Sequence, residues 1–513
     1  MNDTYLTDVT YTGEFFDHLA PAWMAYVAAI NGYASKPLTG RFTWCELGCG
    51  KGVTALILAA MHPEGEFHAC DFNPAHIEYA ERLRAEAGLR NVHFHAKSFE
   101  QMRNADLPSF DFVALHGVYS WVPDEVRAEI RAFLRDKLKP DGLATVSYNA
   151  MPGWAHLQPL RKIMRDYAES LTQGTSLERV REAFAFLDFL AKNNAGYFAT
   201  HPAAVAHLQE IATQDIRYVV HEYLTPHGDP FYFSDVEKAM RAGGLVYAGN
   251  MTVAENYVEI MAPQQFQKML TSAGSRTVRE LRRDFIVNTR FRRDLYSAQP
   301  ESVAVDRVPL AQFSGIAFCL GASPEMLPMK PGAGQFNLDL QSRAESIGKV
   351  HALLAHGRAS AEAIHMAAGC TEQEASLLIQ HLVIARHLVP CPPTAPRLGW
   401  PALNTVLVDV GLSEELLQIP LASPLSATAV YMDVVYAAIA EAAASNDDAA
   451  TAAQGVLSRV RKHGHPVNKT AADGTKRVAS DDEVLQYAQA AWRELRDVKF
   501  QSARMMRVYG LLT

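Results

Sequence analysis

Between residues 41 and about 150, short apolar runs alternate with segments whose apolar positions recur at helical spacing. Phe42–Leu47, Glu66–Cys70, Val92–His95, Asp111–His116 and Leu143–Tyr148 read as strands, and Val53–Met61, Pro74–Ala87 and Pro123–Leu138 as helices. Near-continuous apolar strands separated by helices predict an α/β fold with a Rossmann-like, doubly wound parallel sheet. Ahead of it, the segment from Glu14 to Ile30 has helical spacing and Pro37 closes it, so residues 1–40 are expected to form an N-terminal helical lid.

The pattern changes again downstream of this 41–155 unit. Residues 156–215 read as a helical connector that includes Ser176–Lys192. Residues 216–300 read as a second, mixed α/β region, with Ile216–Val220 and Val246–Gly249 extended and Ser234–Ala242 helical. In 301–400 a Pro/Gly-rich crossing, Gly321–Gly334, precedes helices at Glu345–Ala355, Ala359–Ala368 and Glu372–Ile384. Residues 401–513 are expected to be helical, with Ala-rich segments at 425–460 and 481–505 joined by an exposed polar loop, His463–Asp482.

Composition narrows the function classes. With 513 residues, 49% of them hydrophobic, the chain can build several cores and is not mainly disordered. A formal charge of −8 argues against wrapping nucleic acid or lying on an anionic membrane. Cys45 and Cys49 are three residues apart, so no cysteine pair has the two-residue gap of a zinc or redox motif. The start, Met1–Tyr5, shows no basic region followed by an apolar run, and no apolar stretch reaches the roughly 18–20 residues that span a bilayer. A cytoplasmic protein with reduced thiols is expected, with no catalytic metal.

The sharpest chemical signal is Glu46-Leu47-Gly48-Cys49-Gly50-Lys51-Gly52, between a strand and a helix. Glycines there let the chain turn tightly and let a ligand approach the backbone. Against a dinucleotide fingerprint, the third glycine comes one residue early and Val53 stands where a small residue belongs. Glu46 is poorly placed beside a pyrophosphate but well placed for a cationic ligand. Spacing and charge together favour S-adenosyl-L-methionine over NAD. Asp71, ending the next strand, can accept both hydroxyls of a ribose. After the third strand, Lys97-Ser98-Phe99 offers a polar group and an aromatic for an adenine, although Phe99 equally suits the core. The fourth strand runs into His116-Gly117-Val118-Tyr119-Ser120-Trp121, and the fifth into Ser147-Tyr148-Asn149 with Pro152-Gly153-Trp154 beyond. These aromatics either cage an incoming amine or plug the end of the sheet.

Together, Glu46–Gly52, Asp71, His116–Trp121, the turn Leu138–Leu143 and Ser147–Trp154 resemble class I S-adenosylmethionine-dependent methyltransferases. More narrowly they resemble the bacterial group with a methyltransferase regulatory domain, which includes the rickettsial protein-lysine methyltransferases. His221-Glu222-Tyr223-Leu224, Pro230–Phe233 and Phe291–Leu295 look like that group's regulatory domain, and the C-terminal part resembles its winged-helix-like and helical portion. The resemblance implies cofactor contacts from Glu46, Gly48, Gly50, Asp71, Ser98, Phe99 and His116, with Cys49, Phe72 and Gly117 beside them and Tyr11 as a lid residue. It also implies methylation of a protein lysine in preference to a small molecule. For that acceptor, the edges Tyr119/Trp121 and Tyr148/Trp154 are expected to line the channel. His116, Tyr119, Tyr148 and Tyr223 are candidates to take the proton, with Glu222 and His221 behind them.

Two features bear on rival functions. The arginine-dense stretch Arg276–Arg293 reads as a solvated helix face with internal ion pairs rather than a nucleic-acid patch. Across 345–397 the charges balance, which favours protein contact over DNA reading. An acceptor that is a small molecule or an oxygen nucleophile, and a non-catalytic, S-adenosylmethionine-responsive protein that binds a protein partner or DNA, stay open as alternatives. Oligomeric state is not legible.

Overall fold

The structure, a computed structural model, describes residues 13–302, 307–329, 338–355, 357–395, 399–425, 429–445, 448–470 and 475–511. Its centre is a seven-stranded sheet of β1 (Phe42–Leu47), β2 (Gly65–Asp71), β3 (Val92–Ala96), β4 (Phe110–Leu115), β5 (Leu138–Asn149), β6 (Val246–Asn250) and β7 (Phe291–Ser297). The order is β3-β2-β1-β4-β5-β7-β6. β1 to β5 run parallel, and β7 is antiparallel to both neighbours. β4 is buried along its whole length and β1 nearly so, which is why they read as unbroken apolar runs. From β1 the chain winds outward to β3, then returns to β4 on the other side. The crevice at the carboxyl ends of β1 and β4 is therefore the switch point at which such sheets bind ligands.

Several sequence expectations change. The sheet does not end near residue 155, because the 216–300 region supplies β6 and β7 and completes it. Ile216–Val220 is not extended but belongs to the helix Ile216–Tyr223, whose N-terminus Asp215 caps by accepting from the Arg217 N–H at 2.8 Å. In the lead-in, the helix Pro21–Ile30 is buried on every side, packed between the sheet and the C-terminal half, so it is a core element. Of the described lead-in only Gly13, Glu14 and Phe16 border the cavity described below, and Tyr11 lies outside the described residues. In the Ala-rich 425–460 segment, Ala429–Asp433 is a strand paired with Gln418–Ala422.

Residues 156–215 are more than a connector. Helices Gln158–Ser170, Ser176–Lys192, Pro202–Ile211 and Ile216–Tyr223 share a core that includes Leu160, Met164, Val180, Leu187, Leu208 and Val220. Ser176–Lys192 starts as its sequence predicts, with Thr175 and Glu178 forming a capping box. Further on come helices Ala344–Leu354, Ala361–Ala368 and Glu372–Ile384 and a three-stranded sheet of Ala317–Leu320, Ala359–Ser360 and Leu388–Cys391. Five helices from Trp400 to Val508 surround a separate core. Trp400–Ser413 packs on Val53–Met61, which explains why the latter helix is buried all round. Among the described residues, no helix is long and apolar enough to cross a membrane.

Candidate active site

Past β1 the chain makes a turn that only glycine fits. Gly48 and Gly52 have φ of 76° and 70°. A Cβ on Gly48 would sit 2.5 Å from Val118 Cγ2, and one on Gly52 2.5 Å from the Phe94 ring. The N–H groups of Gly48 and Cys49 donate to the Cys70 carbonyl at 2.8 and 2.9 Å, tying the loop to the end of β2. Asp71 completes the tie: Oδ2 accepts from the Gly50 N–H at 3.0 Å and Oδ1 from the Asn73 N–H at 2.9 Å. A carboxylate can accept about four hydrogen bonds, so Asp71 keeps capacity for a ligand.

A cavity of about 1030 Å³ opens over this loop. Glu46, Gly48, Cys49, Gly50, Asp71, Phe72, Ser98, Phe99, His116 and Gly117 all border it, so the structure brings together every described residue expected to hold the cofactor. Glu46 is buried, and its Oε2 has no hydrogen-bond partner. Burial, helped by the Asp71 charge, pushes its carboxyl up to about 8. Ser98 is also the cap of helix Phe99–Asn104, accepting from the Gln101 N–H at 3.2 Å. His116 Nδ1 lies 3.0 Å from His18 Nε2, with its ring 4.0 Å from Phe16 and 5.7 Å from Phe291 between centroids. Burial, then His18 and Arg293, holds His116 well below the ordinary histidine range, so it is neutral.

The far wall comes from the segments after β4 and β5, from helices Pro202–Ile211 and Ile216–Tyr223, and from β7. Trp121, Trp154 and Tyr223 border the cavity as expected, with the Arg161 guanidinium 5.4 Å over the Trp121 ring. Glu222 borders it too, its carboxyl raised to about 8 by burial against the opposing pull of Arg161. Tyr119 and Tyr148 do not border it, which corrects the expectation that both line the channel. Tyr148 donates to Asp294 Oδ2 at 2.6 Å inside the core, and Tyr119 accepts from Arg131 at 3.0 Å while packing on Phe231. For Tyr148 the cause is strand alternation, since on β5 it is Asn149, the next residue, that faces the cavity; Tyr119, in the turn beyond β4, is held inward by Arg131 and Phe231. His221 is buried and does not border it either.

Sequence reasoning missed Phe16, His18, His207, Glu210 and Arg290. His207 and Glu210 stand three apart on Pro202–Ile211, and that i,i+3 spacing of a histidine and a carboxylate was the available signal. The C-terminal half also reaches the cofactor side. Lys51 of the glycine loop pairs with Glu414 at 3.0 Å, Asp17 with Arg386 at 2.9 Å, and the Phe15 N–H donates to the Tyr431 hydroxyl at 2.7 Å.

Residues 39–200 match a family described as a methyltransferase domain, and residues 215–297 one described as a predicted methyltransferase regulatory domain. An uncharacterized protein of Synechocystis is 36% identical over 295 residues, 58% of this chain. The match spans 58% of that relative's length. An uncharacterized protein of Rickettsia prowazekii is 30% identical over 237 residues, 46% of this chain and 93% of that protein. Among solved structures, PKMT2 from Rickettsia typhi in complex with AdoHcy shares the fold with a TM-score of 0.70 at 19% identity, over 96% of this chain and 99% of that one.

Proposed function

The chain belongs to the class I S-adenosylmethionine-dependent methyltransferases that carry a methyltransferase regulatory domain, and on that premise we propose that it N-methylates lysine side chains of a protein acceptor in the cytoplasm. The observation that carries the reading is the continuity of the cavity. One end is the glycine loop with two carboxylates, and the other is a wall where Trp121, Trp154 and Tyr223 accompany Glu210 and Glu222. Aromatic faces and carboxylates both favour a long cationic side chain. The likeness of the two aromatic runs to rickettsial protein-lysine methyltransferases supports the same choice.

The residues present fit S-adenosyl-L-methionine. Asp71 has acceptor capacity for ribose hydroxyls, Gly48 and Gly50 leave the backbone open, and the unpartnered Glu46 Oε2 suits an ammonium. Ser98 and Phe99, on the same cavity, offer a polar group and an aromatic face to an adenine. When bound, this cofactor supplies an electrophilic methyl group whose leaving thioether needs no acid. The chain's own contribution is to align the nucleophile at about 3 Å and exclude water, which supplies several kcal/mol. Phe16, Phe291 and Leu157 on the cavity wall serve the exclusion. A lysine ammonium, with a reference pKa near 10.4, must also lose a proton before it attacks.

Glu46 gives a pH test of cofactor binding. A cationic partner favours the ionised carboxylate, whereas the free site at pH 7 holds it mostly protonated. Binding is therefore expected to release a proton, and affinity to fall as pH drops below about 8. Calorimetry at pH 7 in buffers of different ionisation enthalpy reads the proton count, and Glu46→Gln should abolish it. A proton count of zero in the wild-type protein rejects the assignment.

The acceptor itself is tested with S-adenosylmethionine labelled on its methyl group and a bacterial lysate. Label should enter protein, and prior acetylation of all ε-amines should prevent it. Label in small molecules, or in protein regardless of acetylation, contradicts the lysine reading.

A further inference from the structure

On the acceptor wall three side chains form a continuous chain. The Tyr223 hydroxyl lies 2.5 Å from His207 Nε2, and His207 Nδ1 lies 3.2 Å from Glu210 Oε2. All three border the cavity. Tyr223 and His207 are buried, while the Glu210 side chain is 54% exposed, so the chain runs from the acceptor end of the cavity to solvent. One tautomer satisfies both contacts: Nδ1–H donates to Glu210, and Nε2 accepts from the Tyr223 hydroxyl.

We propose that Tyr223, His207 and Glu210 are a proton relay that strips the incoming lysine ammonium before methyl transfer. The inference rests on the lysine reading above. In balanced form, one ammonium N–H bond breaks and its proton goes to Tyr223 Oη. The Tyr223 O–H bond breaks in concert, and that proton goes to His207 Nε2. The products are a neutral amine, a neutral tyrosine and an imidazolium, which the Glu210 carboxylate stabilises through Nδ1–H. Tyr223 touches the acceptor and is the catalytic residue. His207 and Glu210 act through it and position it.

The surroundings agree with this direction of transfer. The Glu210 carboxyl is held below its usual range by its bond to His207, so it is anionic. Burial pushes the Tyr223 hydroxyl up, with Glu222 adding to it, so Tyr223 conducts a proton and does not hold a negative charge. Burial lowers His207 and Glu210 opposes it. The other groups facing His207 are His156 and Arg290, whose Nη1 lies 3.5 Å from His207 Nδ1 and Nη2 3.5 Å from Glu210 Oε2, both longer than the 3.2 Å Nδ1–Glu210 contact that sets the tautomer. The His18–His116 pair is a poorer outlet because His18 is buried, whereas Glu210 meets water.

The test uses the full-length protein, labelled S-adenosylmethionine and bacterial lysate with ε-amines free or acetylated. Tyr223→Phe and His207→Gln should lower the lysine methylation rate roughly 100-fold near pH 7.5, the scale of acid–base catalysis. The deficit should shrink toward pH 10, where the amine loses its proton unaided. Cofactor affinity by calorimetry should be unchanged in Tyr223→Phe. Imidazole nitrogen resonances should show His207 as the Nδ1–H tautomer, with Nε2 moving on Tyr223→Phe. If wild type methylates lysine and the variants keep its rate and pH profile, the relay is overturned while the lysine reading stands. An Nε2–H tautomer at His207 likewise overturns the relay alone. If wild type labels no acetylation-sensitive site, the lysine reading falls and the relay with it.

Discussion

Replacing Asp71 by alanine is expected to weaken S-adenosylmethionine binding by about 100-fold, the low end of what losing two charge-assisted hydrogen bonds at about 1.5–3 kcal/mol each would do. Asp71 ends β2 beside the switch point of the sheet, where a carboxylate meets a ribose. It also accepts the Gly50 and Asn73 N–H groups, so the side chain proposed to hold the ribose also shapes the loop. Asp71→Asn separates the roles. Its single amide oxygen can hold the Gly50 N–H, but it presents an NH₂ where the second acceptor was. Asparagine should therefore lose nearly as much affinity as alanine while keeping more of the loop. Calorimetry on both variants reads the affinities. Affinity equal to wild type in Asp71→Ala would remove the ribose assignment, and recovery in Asp71→Asn would reduce the residue to a loop tether.

The cofactor half of the site was legible because its signals are local. An apolar strand, a glycine turn and an acid at the next strand tip follow one another within Phe42–Asp71, and neighbouring parallel strands then set them side by side. The opposite wall, proposed to take the acceptor, was less legible, because much of it is assembled from 154–223 and β7 by contacts remote in sequence. Tyr119 and Tyr148 show one reason. Aromatic content does not say which side chain faces the cavity: on β5 alternation presents Asn149 in place of Tyr148, and in the turn beyond β4 Trp121 borders the cavity while Tyr119 packs on Phe231. Ile216–Val220 shows another. A short β-branched run does not distinguish strand from helix, and here the Asp215 cap and burial of Val219, Val220 and Tyr223 at helical spacing decided for helix. That β6 and β7 join the first sheet depends on pairing across more than a hundred intervening residues, which no periodicity records.

The Arg276–Arg293 stretch departs furthest from its sequence reading, and it carries the largest expected effect on stability. Far from being a solvated face throughout, it places Arg283 and Arg292 in the core. Arg292 donates to both oxygens of Asp284 at 2.7 and 2.8 Å, to Asp294 at 3.0 Å and to Glu280 at 3.1 Å, and lies 4.2 Å over the Phe233 ring. Arg283 pairs with Glu280 at 2.9 Å and Glu255 at 3.2 Å. Asp294 in turn accepts from Tyr148, which joins β7 to β5. Arg292→Ala leaves three buried carboxylates short of their shared cation and is expected to cost about 3–5 kcal/mol. Against a typical total of about 5–15 kcal/mol, that is a large drop, readable as a lower denaturation midpoint in urea. Arg292→Met should not rescue it, since filling the volume leaves the carboxylates unpaired. The loss should also depend on pH. Burial raises the Glu280 carboxyl, but Arg283 and Arg292 overcome it and hold it at about 2. A carboxyl depressed in the fold contributes stability that is present above its unfolded pKa and lost as pH falls toward the folded one. The gap between wild type and Arg292→Ala should therefore narrow below about pH 4.5, the ordinary carboxyl value. Because Phe291 and Arg293 flank Arg292 on β7 and border the cavity, loosening this strand should lower methyl-transfer rate along with stability. A variant with an unchanged midpoint would mean that packing of β5 against β7, not the ion cluster, holds this wall of the cavity in place.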